Sequence, residues 1–110
     1  MSALAMFAGL VAGHALCDYP LQGDFLAKGK NRTAPIPGMP WWQLLGAHAA
    51  IHGGAVGLIT GVWWLGLLEF AAHFVIDDLK CRSRLSFNQD QALHLLCKAA
   101  WVWIAITEQS

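Results

Sequence analysis

At 110 residues the chain has room for one domain. It is 56% hydrophobic and 13% charged, where soluble domains carry about 25% charge, so the composition is that of a membrane protein. Formal net charge is zero, which excludes nucleic acid as a bulk electrostatic partner, and three cysteines without a C-x-x-C pair argue against a disulfide framework.

The first apolar segment covers residues 2–21. It lacks the basic start of a secretory signal, and Ala15-Leu16-Cys17 matches a lipoprotein cleavage site poorly, so it reads as a retained helix. It carries His14 and Asp18 one helical turn apart, with Gly9 and Gly13 as a small-residue pair suited to close helix packing. A polar connector follows over residues 28–40, with Lys28, Lys30 and Arg32 ahead of Pro35, Pro37, Gly38 and Pro40. The proline run predicts extended chain there.

The second segment, residues 41–61, opens on Trp41-Trp42. It carries His48 and His52, then the ladder Gly53, Gly57, Gly61. An uncharged connection around Val62 leads into the third segment, residues 62–79, where Glu69, His73 and Asp77 stand at four-residue steps. The second polar loop, residues 80–87, holds Lys80, Arg82 and Arg84. The fourth segment, residues 88–107, repeats the step with Asp90, His94 and Lys98. Asn88 is its expected N-cap, with Gln91 completing a capping box.

These elements predict an all-α fold, a four-helix transmembrane bundle with antiparallel up-down topology. The cations of both polar loops place those loops in the cytoplasm and both termini on the non-cytoplasmic side. The chain is thus expected to be a multi-pass protein of a bacterial inner membrane. Trp42 to Trp63 covers about 32 Å as helix, close to a bilayer core of ~30 Å. Several segments sit near the lower length limit for a span.

All five histidines fall on a four-residue beat, with an aspartate or with each other. In the antiparallel arrangement His14, His52, His73 and His94 occupy one level. Asp18, His48, Asp77 and Asp90 lie one turn nearer the cytoplasm. Ligands from facing helices are how bundles assemble metal centres. A mixed His/Asp set suits one or two divalent ions, zinc, manganese or iron rather than calcium or magnesium. The alternative is a metal-free hydrogen-bonded core or proton path. Glu69 and Lys98 fall at a common depth beyond the histidines and are expected to form an ion pair. Gln22, Asp24, Lys30, Asn31, Asp78, Lys80 and Gln91 read as a solvated rim, with contact to an anionic group as the alternative.

The ordered set His14-x-x-x-Asp18-x-x-x-Gln22, Lys30-Asn31, His48, His52, His73-x-x-x-Asp77-x-x-Lys80 and Asp90-Gln91-x-x-His94 resembles the DUF3307 family of small bacterial and phage membrane proteins. The likeness covers nearly the whole chain and implies a multi-pass membrane protein, without supplying an activity. More distantly, the arrangement is similar to membrane-bound metal-dependent hydrolases, from which no catalytic residue is carried over. The leading expectation is a metal-dependent membrane hydrolase acting on lipid headgroups or another amphipathic substrate, with Asp18 or Asp90 as base. The alternatives are a proton or ion relay, or a non-catalytic module stapled by a metal that binds a protein partner or a second copy of itself.

Overall fold

Ser2 accepts the Ala5 N–H through its side-chain oxygen at 3.1 Å and starts α1 (Ala3–Asp18). The computed structural model describes residues 1–109 and continues with α2 (Gly23–Gly29), α3 (Trp41–Thr60), α4 (Trp63–Cys81) and α5 (Phe87–Gln109). The described residues contain five helices and no strand. The short α2 is not expected from the sequence, whose residues 28–40 predict only an extended connector between the first two segments. Its cues are weak: seven residues, Asp24 in the first turn and Lys28 in the last. Gly23, at φ +67°, makes the reversal into it.

The proline-bearing connector ends at Pro40, directly before α3. Gly61 caps α3 in the left-handed conformation at φ +72°, its N–H donating to Gly57 O at 3.0 Å, and α4 begins after Val62. The start of α5 corrects an expectation. Ser86 Oγ accepts from Gln89 N at 3.1 Å while Gln89 Oε1 accepts from Ser86 N at 2.9 Å, so the capping box is Ser86/Gln89 and not Asn88/Gln91. A hydroxyl at Ser86 satisfies the same spacing earlier in the chain and leaves Gln91 free to turn inward.

α1 packs on α3 and α5, α4 packs on α3 and α5, and α1 and α4 stand diagonally opposite. The result is an antiparallel ring of four long helices, with α2 lying against α3. α3 and α4 cross most closely: a Cβ on Gly53 would stand 2.6 Å from Gly66 O, and one on Gly66 2.7 Å from Gly53 O. Only glycine permits that backbone approach.

The interior divides into two halves. Met6, Leu10, Val56, Val62, Leu65, Trp101, Val102 and Ala105 fill the end that holds both termini. The other half is polar with its titratable groups buried, and around the bundle large apolar side chains face outward. Leu4, Leu58, Trp63, Leu67 and Trp103 are 62–87% exposed, whereas His48, His52, Glu69, His73 and Lys98 are at most 1% exposed. No single helix is long and apolar enough to cross a membrane; α1 and α2 reach that standard only together, as a pair bent by 84°. The residues that lower the apolarity of α3, α4 and α5 include the histidines, acids and lysine that turn into the bundle.

Candidate metal centre

Four-residue spacing puts His48 and His52 on one face of α3, and Glu69, His73 and Asp77 on one face of α4. α1 contributes His14 and Asp18, and α5 contributes Asp90, His94 and Lys98. Because the helices run antiparallel, these faces meet at one level. His52 and His73 stack at 3.7 Å between ring centroids, and His73 and His94 at 4.3 Å. His14 lies 5.1 Å from His52 and 5.0 Å from His94, and His48 4.7 Å from His52.

Asp18 is the focus. Its Oδ1 lies 2.9 Å from His52 Nε2, 3.3 Å from His48 Nε2 and 4.0 Å from His73 Nε2, and its Oδ2 lies 3.2 Å from His14 Nε2. Asp18, His48, His52 and His73 each offer a donor atom within 4.8 Å of the others, and so do His14, His73 and His94. Neighbouring donors on a tetrahedral ion with ~2.0–2.1 Å bonds stand about 3.3 Å apart, so the first set is near the spacing an ion requires. Buried nitrogens without hydrogen-bond partners support the fit. They include both ring nitrogens of His48, Nε2 of His73, and Nδ1 of His14 and His94. Unsatisfied polar atoms at such depth are costly. A divalent ion bound by these donors would satisfy the ones directed at it.

Behind His73 stands a supporting layer. Its Nδ1 donates to Glu69 Oε2 at 3.1 Å, which leaves the lone pair on Nε2, 3.8 Å from Asp77 Oδ2 and 4.0 Å from Asp18 Oδ1. Glu69 Oε1 accepts from Lys98 Nζ at 2.7 Å and from Trp101 Nε1 at 2.9 Å. A carboxylate on the far nitrogen of a histidine is the usual device for fixing the tautomer of a metal ligand. The two donor groups share His73, and with its Nδ1 committed to Glu69 they share one free nitrogen. The donors therefore suit one ion at a time through His73.

The eight expected ligands do not form a single sphere. Asp77 stands outside both donor groups: its Oδ2 accepts from Lys30 Nζ at 2.6 Å and lies 3.5 Å and 3.8 Å from His48 and His73 Nε2. Lys30 also donates to Gln22 Oε1. Asp90 too is outside them. Its Oδ1 is 3.4 Å from His94 Nε2 without a hydrogen-bond partner, and its Oδ2 accepts from Gln91 Nε2 at 2.9 Å. Gln91 Oε1 in turn lies 3.3 Å from His14 Nε2.

The roles of Lys30, Gln91 and Trp101 went unrecognised in the sequence. Lys30 is 8% exposed, where a rim residue is expected, and Trp101 is 8% exposed. The run Lys30-x-Arg32 carried the only cue, since Asp77-Asp78 is its mirror. Arg32 forms a two-bond contact to Asp78 at 2.9 and 2.7 Å while lying 4.2 Å from the Trp41 ring. Together these pairs fasten the connector over the polar end of the bundle.

A cavity of about 80 Å³ reaches the centre, lined by residues that include Asp18, His73, Lys80, Asp90, Gln91 and His94. Beyond it an outer hollow of about 380 Å³ shares Gln22, Lys30, Asp77 and Lys80 with the inner one. The polar end is thus accessible, while the opposite end is packed with apolar side chains. The chain belongs to the DUF3307 family, described as a protein of unknown function, whose model matches residues 6–110. No curated protein and no solved structure matches it.

Proposed function

We propose that this member of the DUF3307 family is a metal-dependent hydrolase of the bacterial inner membrane, its site opening at the cytoplasmic end of a four-helix transmembrane bundle. The observation that carries the reading is the convergence of Asp18, His48, His52 and His73 from three helices beside a cavity open at one end. The substrate class is a lipid headgroup or another amphipathic molecule. The apolar exterior around a buried polar interior supports membrane embedding, because lipid reverses the usual placement of such residues.

Nitrogen-rich donors with one carboxylate favour zinc, with manganese or iron as the other candidates. A divalent ion at this centre supplies Lewis acidity and lowers the pKa of water there. Asp18 serves as the carboxylate ligand. Asp90 is left as the base: it is buried, lines the same cavity, and has one oxygen without a partner. Gln91 holds its other oxygen in place. A proton or ion path across the whole bundle is the weaker reading, because Met6, Leu10, Leu65 and Ala105 close the far end.

The test is elemental analysis of detergent-purified protein together with turnover of headgroup esters. The wild type is expected to retain about one ion per chain, and His52→Ala to lose it. Asp90→Asn is expected to keep the ion and lose turnover by about a hundredfold or more. A folded wild type that retains no zinc, manganese or iron ends the proposal.

A further inference from the structure

Six lysines and arginines belong to the polar end, and three of them are already committed. Lys30 pairs with Asp77, and Arg32 and Arg82 reach Asp78. Lys28, Lys80 and Arg84 pair with no carboxylate within 4 Å among the described residues, and of the three Lys80 lines the polar cavities, its Nζ 5.4 Å from the Phe87 ring. It lines both the inner cavity and the outer hollow, and so stands at the junction between them. Asn31 lines the outer hollow too, its Oδ1 accepting from Thr33 N and Oγ1, which turns its amide nitrogen away from that contact.

Charge decides what this junction prefers. The inner cavity is walled by two lysines and three aspartates. Lys30 and Asp77 neutralise each other, which leaves Lys80 against Asp18 and Asp90. A divalent ion at the histidine centre turns that balance positive, and an anion then has a reason to enter.

We propose that Lys80 is an anion-recognition group, holding the phosphate of a substrate at the junction of the two cavities with its ester directed at the histidine centre. This rests on the metal-centre reading above and narrows its substrate class to phosphate-bearing molecules. The two possible sources are a phospholipid headgroup and a free phosphate, which share the chemistry that Lys80 recognises. Lys30, the cation that the sequence places beside Asn31, is unsuited to the task because it is held by Asp77 and Gln22.

The experiment is calorimetric titration of the detergent-solubilised full chain, loaded with zinc, against inorganic phosphate and against short-chain phosphatidic acid in mixed micelles. Wild-type protein is expected to bind both. Lys80→Gln is expected to weaken both by about tenfold or more at unchanged zinc content, while Lys80→Arg keeps most of the affinity. Tighter binding of the lipid identifies the headgroup as the source; equal binding identifies free phosphate. Unchanged affinity in Lys80→Gln, or equal loss in Lys80→Gln and Lys80→Arg, overturns the assignment of Lys80 and leaves the metal centre standing. Wild type that holds zinc but binds neither probe overturns the phosphate class, and wild type that holds no zinc overturns the metal reading itself.

Discussion

Glu69 shows how one side chain serves two needs. It is 1% exposed and accepts from Lys98, Trp101 and His73, so its charge is matched by an ammonium and its lone pairs by three donors. Removing it alone strands Lys98, also 1% exposed, and leaving one member of a buried pair costs about 3–5 kcal/mol. Glu69→Gln is therefore expected to lower stability, and the double variant Glu69→Gln/Lys98→Met to recover much of the loss. Metal affinity separates support of His73 from mere packing. If Glu69 sets the His73 tautomer, the stable double variant still binds zinc about 10–100-fold more weakly than wild type. Equal zinc affinity in a competition titration would reduce the pair to a structural role.

At the scale of elements, the crossing of α3 and α4 places His48 and His52 against His73. Gly53 and Gly66 permit that crossing, since a Cβ on either meets the other's carbonyl oxygen. Gly53→Ala or Gly66→Ala is expected to push the two helices apart and cost about 1–3 kcal/mol, read as a lower unfolding midpoint in detergent. Gly54, where an added Cβ meets nothing within 4 Å, is the control: Gly54→Ala leaves the midpoint unchanged or slightly raised. A Gly53→Ala protein as stable as wild type would mean that the close approach is not needed. The small-residue ladder is readable in the sequence, but not which rung approaches α4 most closely. Gly57 has room for a Cβ at 3.9 Å while Gly53 has none.

The whole molecule measures 49 × 23 × 21 Å, with apolar side chains such as Leu58 and Leu67 outside and charged groups within. That distribution is expected to send the protein to the membrane fraction, resistant to high-salt and alkaline washing and released by detergent. Recovery in the soluble fraction without detergent would sink the membrane proposal. The same distribution lowers the summed hydropathy of α3, α4 and α5, whereas α1, at 16 residues, falls short by length. Hydropathy sums all faces of a helix, while lipid would meet only the outer one.

Helix content, the antiparallel alternation of polar and apolar ends, and the four-residue beat of histidines and acids were all legible from residue order, because helical periodicity is a local property. The packed structure decided what local rules leave open. α2 forms although seven residues bounded by glycines are a poor helix by themselves. The α5 cap falls on Ser86 rather than Asn88, since the two spacings were equivalent until geometry chose between them. Likewise, Asp18 and not Asp77 stands among three histidines, because Lys30 arrives from a distant connector to occupy Asp77. Spacing along a helix determines which side chains share a face; only the arrival of another segment determines which of them remain unengaged.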